Sequence, residues 1–478
     1  MTAGDERAGT FAELAHVQLE KPGLRRAIGS AMDRFVLNRA NAFAGADLEA
    51  MRAAGEAIRA HTVARLDSYL AQFAEAAEAR GVKVFFAADG AEAVEYVRGV
   101  IRDHGATRVA KGKSMASEEI GLNHALEADG VDVVETDLGE YIVQIAHEPP
   151  SHIIVPAIHK KRDEIAELFN DVHHTDLPAD PPELTRFARE LLRDRFLSAE
   201  VGITGVNFAV ADAGAFVIVT NEGNGRMCST LPKVHVALMG MERIVPSFRE
   251  LAVMLPLLTG SATGQRVTAY LNVIGGPRGP DDVDGPDEVH VVILDNGRSR
   301  LLGTEYRSVL HCIRCGACQN VCPVYRQVGG HGYGTVYGGP IGAVLTPLLD
   351  GFERAGDLPY ASSLCAACTD VCPVRIPLHE HLLSLRRDVA RERAGAAERS
   401  AFRTWSAVWS RPWSYRLAAR FGRAGQALFA RGGRIRRAPF PLSRWTSGRD
   451  LPPIASRTFR ERWKRTGHRR EPGAADGR

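Results

Sequence analysis

Residues 312–323 read CIRCGACQNVCP and residues 362–373 read SSLCAACTDVCP. The first stretch has the register C-x2-C-x2-C-x3-C-P. At that spacing one tight loop presents three thiolates to a cubane iron–sulfur cluster and sends its fourth to a second cluster. With Cys372-Pro373 set beneath Cys322-Pro323, Cys368 falls under Cys318 and Cys365 under Cys315, so Ser362 takes the place of Cys312. Exchange of the last thiolate between loops then assigns Cys312, Cys315, Cys318 and Cys372 to cluster one, and Cys322, Cys365 and Cys368 to cluster two. The cofactors expected are two [4Fe-4S] clusters, the second one cysteine short. Its fourth ligand stays open among Ser362, the eighth cysteine Cys228, a partner group and solvent, and a [3Fe-4S] form would need none. Soft thiolates also suit zinc, but zinc sites do not usually call for this register. A disulfide framework fits poorly with four cysteines inside eleven residues and no export signal.

Outward from the cysteines the chain changes character. From Val82 to about residue 300, short apolar runs alternate with helical stretches: VKVFFAAD, then AEAVEYVRGVIRDHG, TRVAKG, SEEIGLNHALEADG and VDVVETD. Such alternation is the mark of a parallel sheet covered by helices. HIIVPAI, FVIVTN, VHVALMG, TAYLNVIGG and VHVVILDNG are further expected strands, and FAVADAGAFVIV at 208–219 reads as strand, turn and strand. The organisation expected is an N-terminal helical segment over 1–80, an α/β domain over 81–302, a helical two-cluster domain over 303–385, and a basic C-terminal segment over 386–478. Beyond Gly303 the strand signals stop. The two cysteine loops lie too far apart for a compact β-rich ferredoxin, so a helical one fits better.

The composition is that of a soluble globular chain, 45% apolar and 24% charged. The N-terminus has no basic start and apolar core, no run reaches the ~20 apolar residues that span a bilayer, and a reducing cytoplasm is the expected compartment. The net charge of +3 conceals a basic tail that holds all five tryptophans, at 405, 409, 413, 445 and 463. One reading of it is contact with an anionic membrane or an acidic partner. The other is a docked helical extension that ends in a disordered RTGHRREPGAADGR. No nucleic-acid-binding motif is present, and none is expected to bind.

Three polar loops of the α/β domain are candidates for chemistry. KGKSMASEE, from Lys111, places Lys111, Lys113, Ser114 and Glu118 at a helix start. It lacks the first glycine of a phosphate loop, which leaves an anion site or a plain capped helix. ETDLGEYIVQIAHEPPSHIIVPAIHK gathers Glu135, Asp137, Glu140, Gln144, His147, His152 and His159, without metal-ligand spacing, and structural histidines are favoured. TNEGNGRMCST offers Glu222 as nucleophile or acid–base group and Arg226 as a carboxylate fork.

KGKSMASEE, ETDLGEYIVQ, ITGVNFAVADAGAFVIVTNEGNGR and the two cysteine groups, the second with serine in its first ligand position, together resemble the lactate-utilisation iron–sulfur protein B family over roughly residues 15–465. The resemblance implies a LUD domain, similar in fold to the NagB/RpiA/CoA-transferase superfamily, then a ferredoxin-like domain and a family-specific C-terminal helical extension. It implies an electron-transfer component of L-lactate oxidation to pyruvate rather than a stand-alone enzyme, working beside a cysteine-rich iron–sulfur component and a second LUD protein. A peripheral contact at the inner membrane face, near the quinone pool, goes with that role. The competing expectation is a CoA- or acyl-transferase-like enzyme that uses Glu222, with Lys113 and Arg226 as the other weak catalytic candidates.

Overall fold

The computed structural model describes residues 9–440 and 442–466. Six strands form a wholly parallel sheet: β1 (Lys83–Ala87), β2 (Arg108–Lys111), β3 (Asp132–Glu135), β4 (Val201–Gly205), β7 (Val234–Gly240) and β10 (Glu288–Leu294), in the order β1-β10-β7-β4-β2-β3. Its central strands are apolar along their whole length because both faces are covered. In β7, Val234, Val236 and Leu238 pack beside Val97, Ile101 and Leu126 on one face, while Ala237 and Met239 pack beside Phe73 and Ala77 on the other. A smaller sheet has the order β8-β5-β6-β9, built from β5 (Phe208–Val210), β6 (Ala215–Thr220), β8 (Ile244–Val245) and β9 (Tyr270–Ile274). The turn between β5 and β6 needs Gly214: its φ is +58°, and a Cβ there would lie 2.3 Å from the Ala76 backbone.

Two expectations are corrected. HIIVPAI is not a strand but part of an irregular loop after helix Leu138–Ile145. Its backbone N–H groups at Ile154 and Val155 donate to His152 Nδ1 (3.0 and 3.2 Å), and that of Ile153 to Gln319 Oε1 (3.3 Å), so no neighbouring strand is needed. The central strand β4, VGITG, was not among the expected ones.

Residues 303–385 carry no strand and consist of short helices and loops. The N-terminal helices do not stand apart as a leading segment. Met1–Val389 forms one compact unit, and one core joins Ile28 and Met32 of helix Leu24–Ala42 to Phe208 and Val217 of the small sheet and to Cys315, Cys322 and Val344 of the cysteine region. Arg59, on helix Leu48–Ala64 and fully buried, ties these parts together. It donates to the carbonyls of Glu242, Ile244 (2.7 Å), Leu310 (2.9 Å) and His311 (3.3 Å). Burial presses its pKa down to about 10, so it remains a cation at neutral pH.

Ala390–Arg478 is a second unit. Helices Ala396–Ser410 and Pro412–Gln426 pack on one another and leave Phe402, Trp405, Trp409, Trp413, Leu417 and Phe421 exposed. The end expected to be disordered, from residue 467 on, lies outside the described residues.

Candidate iron–sulfur centre and the adjoining cavity

Both cysteine loops take the same backbone path. Arg314 and Gly316 flank Cys315 with φ of +57° and +71°, and Leu364 and Ala366 flank Cys365 with +55° and +65°. Left-handed backbone is costly for leucine, alanine and arginine, so its recurrence at matched positions is a geometric requirement of the loop. The match extends to the first ligand position. The N–H of Arg314 donates to Cys312 Sγ at 3.4 Å, and the N–H of Leu364 donates to Ser362 Oγ at 3.1 Å. Ser362 thus occupies in the second loop the place that Cys312 holds in the first. Arg386 fixes its backbone by donating to the Ser362 carbonyl (2.7 Å).

Cys312, Cys315, Cys318 and Cys372 line one small cavity whose other walls include Ile153, Ile341, Val374, Ile376 and Leu378. The last of the four comes from the other loop. Burial, then the charges of Cys372 and Cys312, push the Cys315 thiol up to about 12; burial and Cys312 push Cys372 to about 11. On the second side, Cys368 is raised to about 11 by burial and by Cys322 and Cys365, and Cys322 is raised in turn by burial and by Cys365. Thiols crowded and desolvated in this way become thiolates when a strong cation takes the place of their protons. Four soft donors around an apolar cavity fit an iron–sulfur cubane, and backbone N–H groups already point at the sulfurs of Cys322 (Tyr325, 3.5 Å) and Cys372 (Ile376, 3.4 Å). Exposure varies within both groups: Cys315 and Cys372 of the first and Cys322 and Cys368 of the second are buried, Cys312 and Cys318 are half-buried, and Cys365 is exposed.

Cys228 does not join either group. Its thiol is fully buried in a separate core with Phe169 and Phe196, pairs with Thr136 Oγ1 (3.3 Å), and is pushed up to about 12 by that burial. It is a core residue of the α/β domain and not a cluster ligand.

A cavity of about 350 Å³ opens at the C-terminal ends of β2, β4 and β7, lined by Gly112–Ala116, Thr204–Asn207, Gly240, Glu242 and Arg243 among others. From β2 the chain turns to β3 on one side, and from β4 to β7 on the other. Parallel α/β sheets bind ligands at such a divergence. Of the sequence candidates, Lys113 and Glu222 line this cavity together with Asp137 and Asn221. Lys113 pairs with Glu140 (2.8 Å). Glu222 is exposed as a residue at the mouth, but its carboxyl turns in to accept from the Leu138 N–H (2.9 Å), and desolvation with the Asp137 charge pushes it up to about 7. Lys111 is not available to an anion: its buried ammonium is held by Glu135 and by Glu118 (3.1 Å), and these carboxylates outweigh burial to keep it charged. Arg226 is exposed and is not among the residues lining the cavity, so the fork role is not supported. Ser114 caps helix Met115–Glu119 through the Ser117 N–H (3.2 Å), Asp137 caps helix Leu138–Ile145 through the Glu140 N–H (3.1 Å), and Gln144 accepts from the Glu135 N–H (3.0 Å).

His152 is structural, whereas His159 stands with Glu148 and His331 in a group whose ligand atoms all lie within 4.8 Å of one another. His152, buried and held near pKa 3 by desolvation, accepts two backbone bonds at Nδ1 and must therefore donate from Nε2 to Asn320 Oδ1 (3.1 Å). His159 meets Glu148 (2.6 Å), and His331 of the cysteine region packs on it. His147 makes a left-handed turn after its helix.

Sequence reasoning passed over the residues at the deep end of the cavity. Glu242 and Arg243 follow β7, and Glu242 pairs with Arg298 (2.8 Å) and with Arg314 (3.1 Å) from the first cysteine loop. Burial opposes the Glu242 carboxylate, but Arg298, Arg314 and Arg243 outweigh it and hold its pKa near 2. Arg298 also pairs with Glu119 (2.7 Å), and the Arg314 guanidinium lies 4.8 Å from the Tyr337 ring centroid. The one available signal was an arginine inside the C-x2-C spacer.

A LUD domain family model matches residues 70–294, a 4Fe-4S dicluster domain matches 308–376, and a model described as lactate utilisation protein B, C-terminal, matches 386–468. Proteins called Lactate utilization protein B are 48% identical to this chain in Bacillus licheniformis, over 94% of this chain and 95% of theirs, and in Geobacillus kaustophilus, over 96% and 97%. The Bacillus subtilis protein of that name is likewise 48% identical, over 94% and 95%. Among solved structures, a DUF162 family protein from Deinococcus radiodurans aligns over 48% of this chain and 98% of its own, at 15% identity and a TM-score of 0.28.

Proposed function

The chain belongs to the lactate utilization protein B family, and we propose from this that it is the electron-transferring iron–sulfur component of an L-lactate oxidation system. In this reading it carries two clusters, the first held by Cys312, Cys315, Cys318 and Cys372 and the second by Cys322, Cys365 and Cys368 with Ser362 as the fourth ligand. The observation that carries it is the exchange between the two loops: Cys372 faces the first group and Cys322 the second. Clusters that share loops in this way lie close together and pass electrons one at a time. The protein's own part is to hold the thiolates, to exclude water from the first cluster with an apolar wall, and to offset its negative charge with Arg314, Arg243 and Arg59. The α/β domain is read as kin to the NagB/RpiA/CoA-transferase superfamily, and residues 303–385 as a helical ferredoxin domain. The partners are a cysteine-rich iron–sulfur component and a second LUD protein, at the cytoplasmic side of the membrane.

Anaerobically purified protein tests this reading by iron and acid-labile sulfide analysis and by EPR before and after dithionite. About seven or eight irons per chain and two interacting reduced clusters are expected. Cys315→Ala should remove the signal of cluster one and leave that of cluster two. Stoichiometric zinc without sulfide would overturn the assignment.

A further inference from the structure

Two guanidinium groups at the deep end of the cavity lack a partner for one nitrogen each. Nη1 of Arg243 and Nη1 of Arg314 are both buried and donate to no hydrogen-bond partner among the described residues. Both residues line the cavity of about 350 Å³. Arg314 is itself buried, at 6% exposure, and its Nη2 is committed to Glu242 at 3.1 Å. Around this point stand four arginines, Arg59, Arg243, Arg298 and Arg314, against two carboxylates, Glu119 and Glu242. Arg59 is satisfied by four carbonyls, and Arg298 by both carboxylates. Arg243 and Arg314 repel one another, and although both face the negative charge at Cys312, each keeps a buried N–H with no acceptor, which is costly until an anion meets it.

The remaining wall gives the chemistry of that anion. Besides the arginines, its lining includes the apolar Val206, Leu238 and Met239 and the polar Asn207, Lys113 and Glu222. A guanidinium fork suits a planar carboxylate, and an apolar wall suits a carbon body. The divergence of β2 and β4 puts the space where parallel sheets take their ligands. Arg314 lies between Cys312 and Cys315, so whatever it binds rests against the loop of the first cysteine group.

We propose that this cavity is a binding site for a small organic carboxylate, its carboxyl group bridging Arg243 and Arg314 beside the first cysteine group. The site is distinct from the Lys111 and Arg226 positions, and it goes beyond the electron-transfer reading. Binding does not require that the clusters pass electrons, so the two claims can fail separately.

The experiment is calorimetric titration of the anaerobic full-length protein with L-lactate and with pyruvate, and with chloride and inorganic phosphate as controls, paired with EPR of the reduced first cluster. Expected are saturable binding of a carboxylate and a shift of the first cluster's EPR line on binding. Arg243→Gln should weaken binding at least tenfold, with iron content unchanged, and Arg243→Lys should restore part of it. Met115→Trp adds bulk at a lining residue that is neither arginine, and it should also abolish binding. The proposal is overturned if neither carboxylate binds, if chloride and phosphate bind equally well and mark an adventitious ion only, or if Met115→Trp binds like the parent. Loss of iron from Arg243→Gln would show that this arginine serves the cluster alone, and would overturn it as well.

Discussion

Arg59→Met removes the cation that joins the α/β domain to the first cysteine loop, and it keeps most of the stem's volume. Four buried carbonyls, of Glu242, Ile244, Leu310 and His311, lose their donor. At about 1–2 kcal/mol for each unsatisfied group, the loss is about 4–8 kcal/mol. Against it stands the cost of burying the guanidinium, whose pKa falls from 12.5 to about 10; removing that charge returns about 3 kcal/mol. The balance is a destabilisation of about 3 kcal/mol, whereas Arg102→Met at the exposed Glu95 pair should leave the unfolding midpoint unmoved. Denaturant unfolding of the anaerobic protein measures it, followed by far-ultraviolet circular dichroism and by the visible absorbance of the clusters. Tryptophan fluorescence is the wrong probe, since all five tryptophans lie in the second unit. The two signals should move together in the variant, because the same side chain holds the domain edge and the loop that enters Cys312. A loss below about 1 kcal/mol, or release of the clusters with the α/β transition unmoved, would refute the reasoning.

Ser362→Cys should complete the second cysteine group and suppress the three-iron EPR signal that air exposure is expected to raise there first, since an alkoxide or hydroxyl holds iron less well than a thiolate; equal decay in parent and variant would place the fourth ligand elsewhere. Stability should fall with acid below pH 6.5, because desolvation lowers His152 and His235 to about 3 in the folded protein and only the unfolded chain binds their protons between those values. The slope approaches about 1.4 kcal/mol per pH unit for each histidine, and unfolding midpoints unchanged from pH 7 to 5 would contradict it. Glu222→Gln should leave cluster reduction by dithionite intact; loss of a transferase activity with it would favour the competing enzyme reading. Truncation after Arg399 should spare both clusters but stop lactate-dependent electron flow in the reconstituted system, and full flow in the truncated chain would remove the docking role of the exposed Trp405, Trp409 and Trp413 face.

Much of this architecture could be read before the structure, and the failures have physical causes. The cysteine register was legible because a cluster dictates spacing in the chain itself. The parallel sheet was legible because strands buried on both faces are apolar throughout. β4 escaped because Gly202 and Gly205 break its run, yet Gly202 is required there: a Cβ would fall 1.8 Å from the Cys228 carbonyl oxygen. HIIVPAI misled because its branched residues have a strand's composition while a histidine ring, not a neighbouring strand, satisfies the backbone. Lys111 looked like an anion ligand because nothing local shows that Glu135, one strand away, will neutralise it. Arg243 and Arg314 were invisible as a pair, since only the packing of β7 against the cysteine loop brings them together.

The asymmetry between the cysteine groups gives the serine a physical setting. The first group lines a small cavity with apolar walls and faces arginines on its other side, with none of its four cysteines fully exposed. The second group reaches the surface at Cys365, and Ser362 beside it is only partly buried. There water can stabilise a less negative, oxygen-ligated iron. If Ser362 is the fourth ligand, as proposed above, a neutral hydroxyl would leave the second cluster one charge less negative than a thiolate would. In the electron-transfer reading proposed above, the exposed Cys365 is where a partner protein would reach the second cluster, and Ser362 stands beside that point of contact.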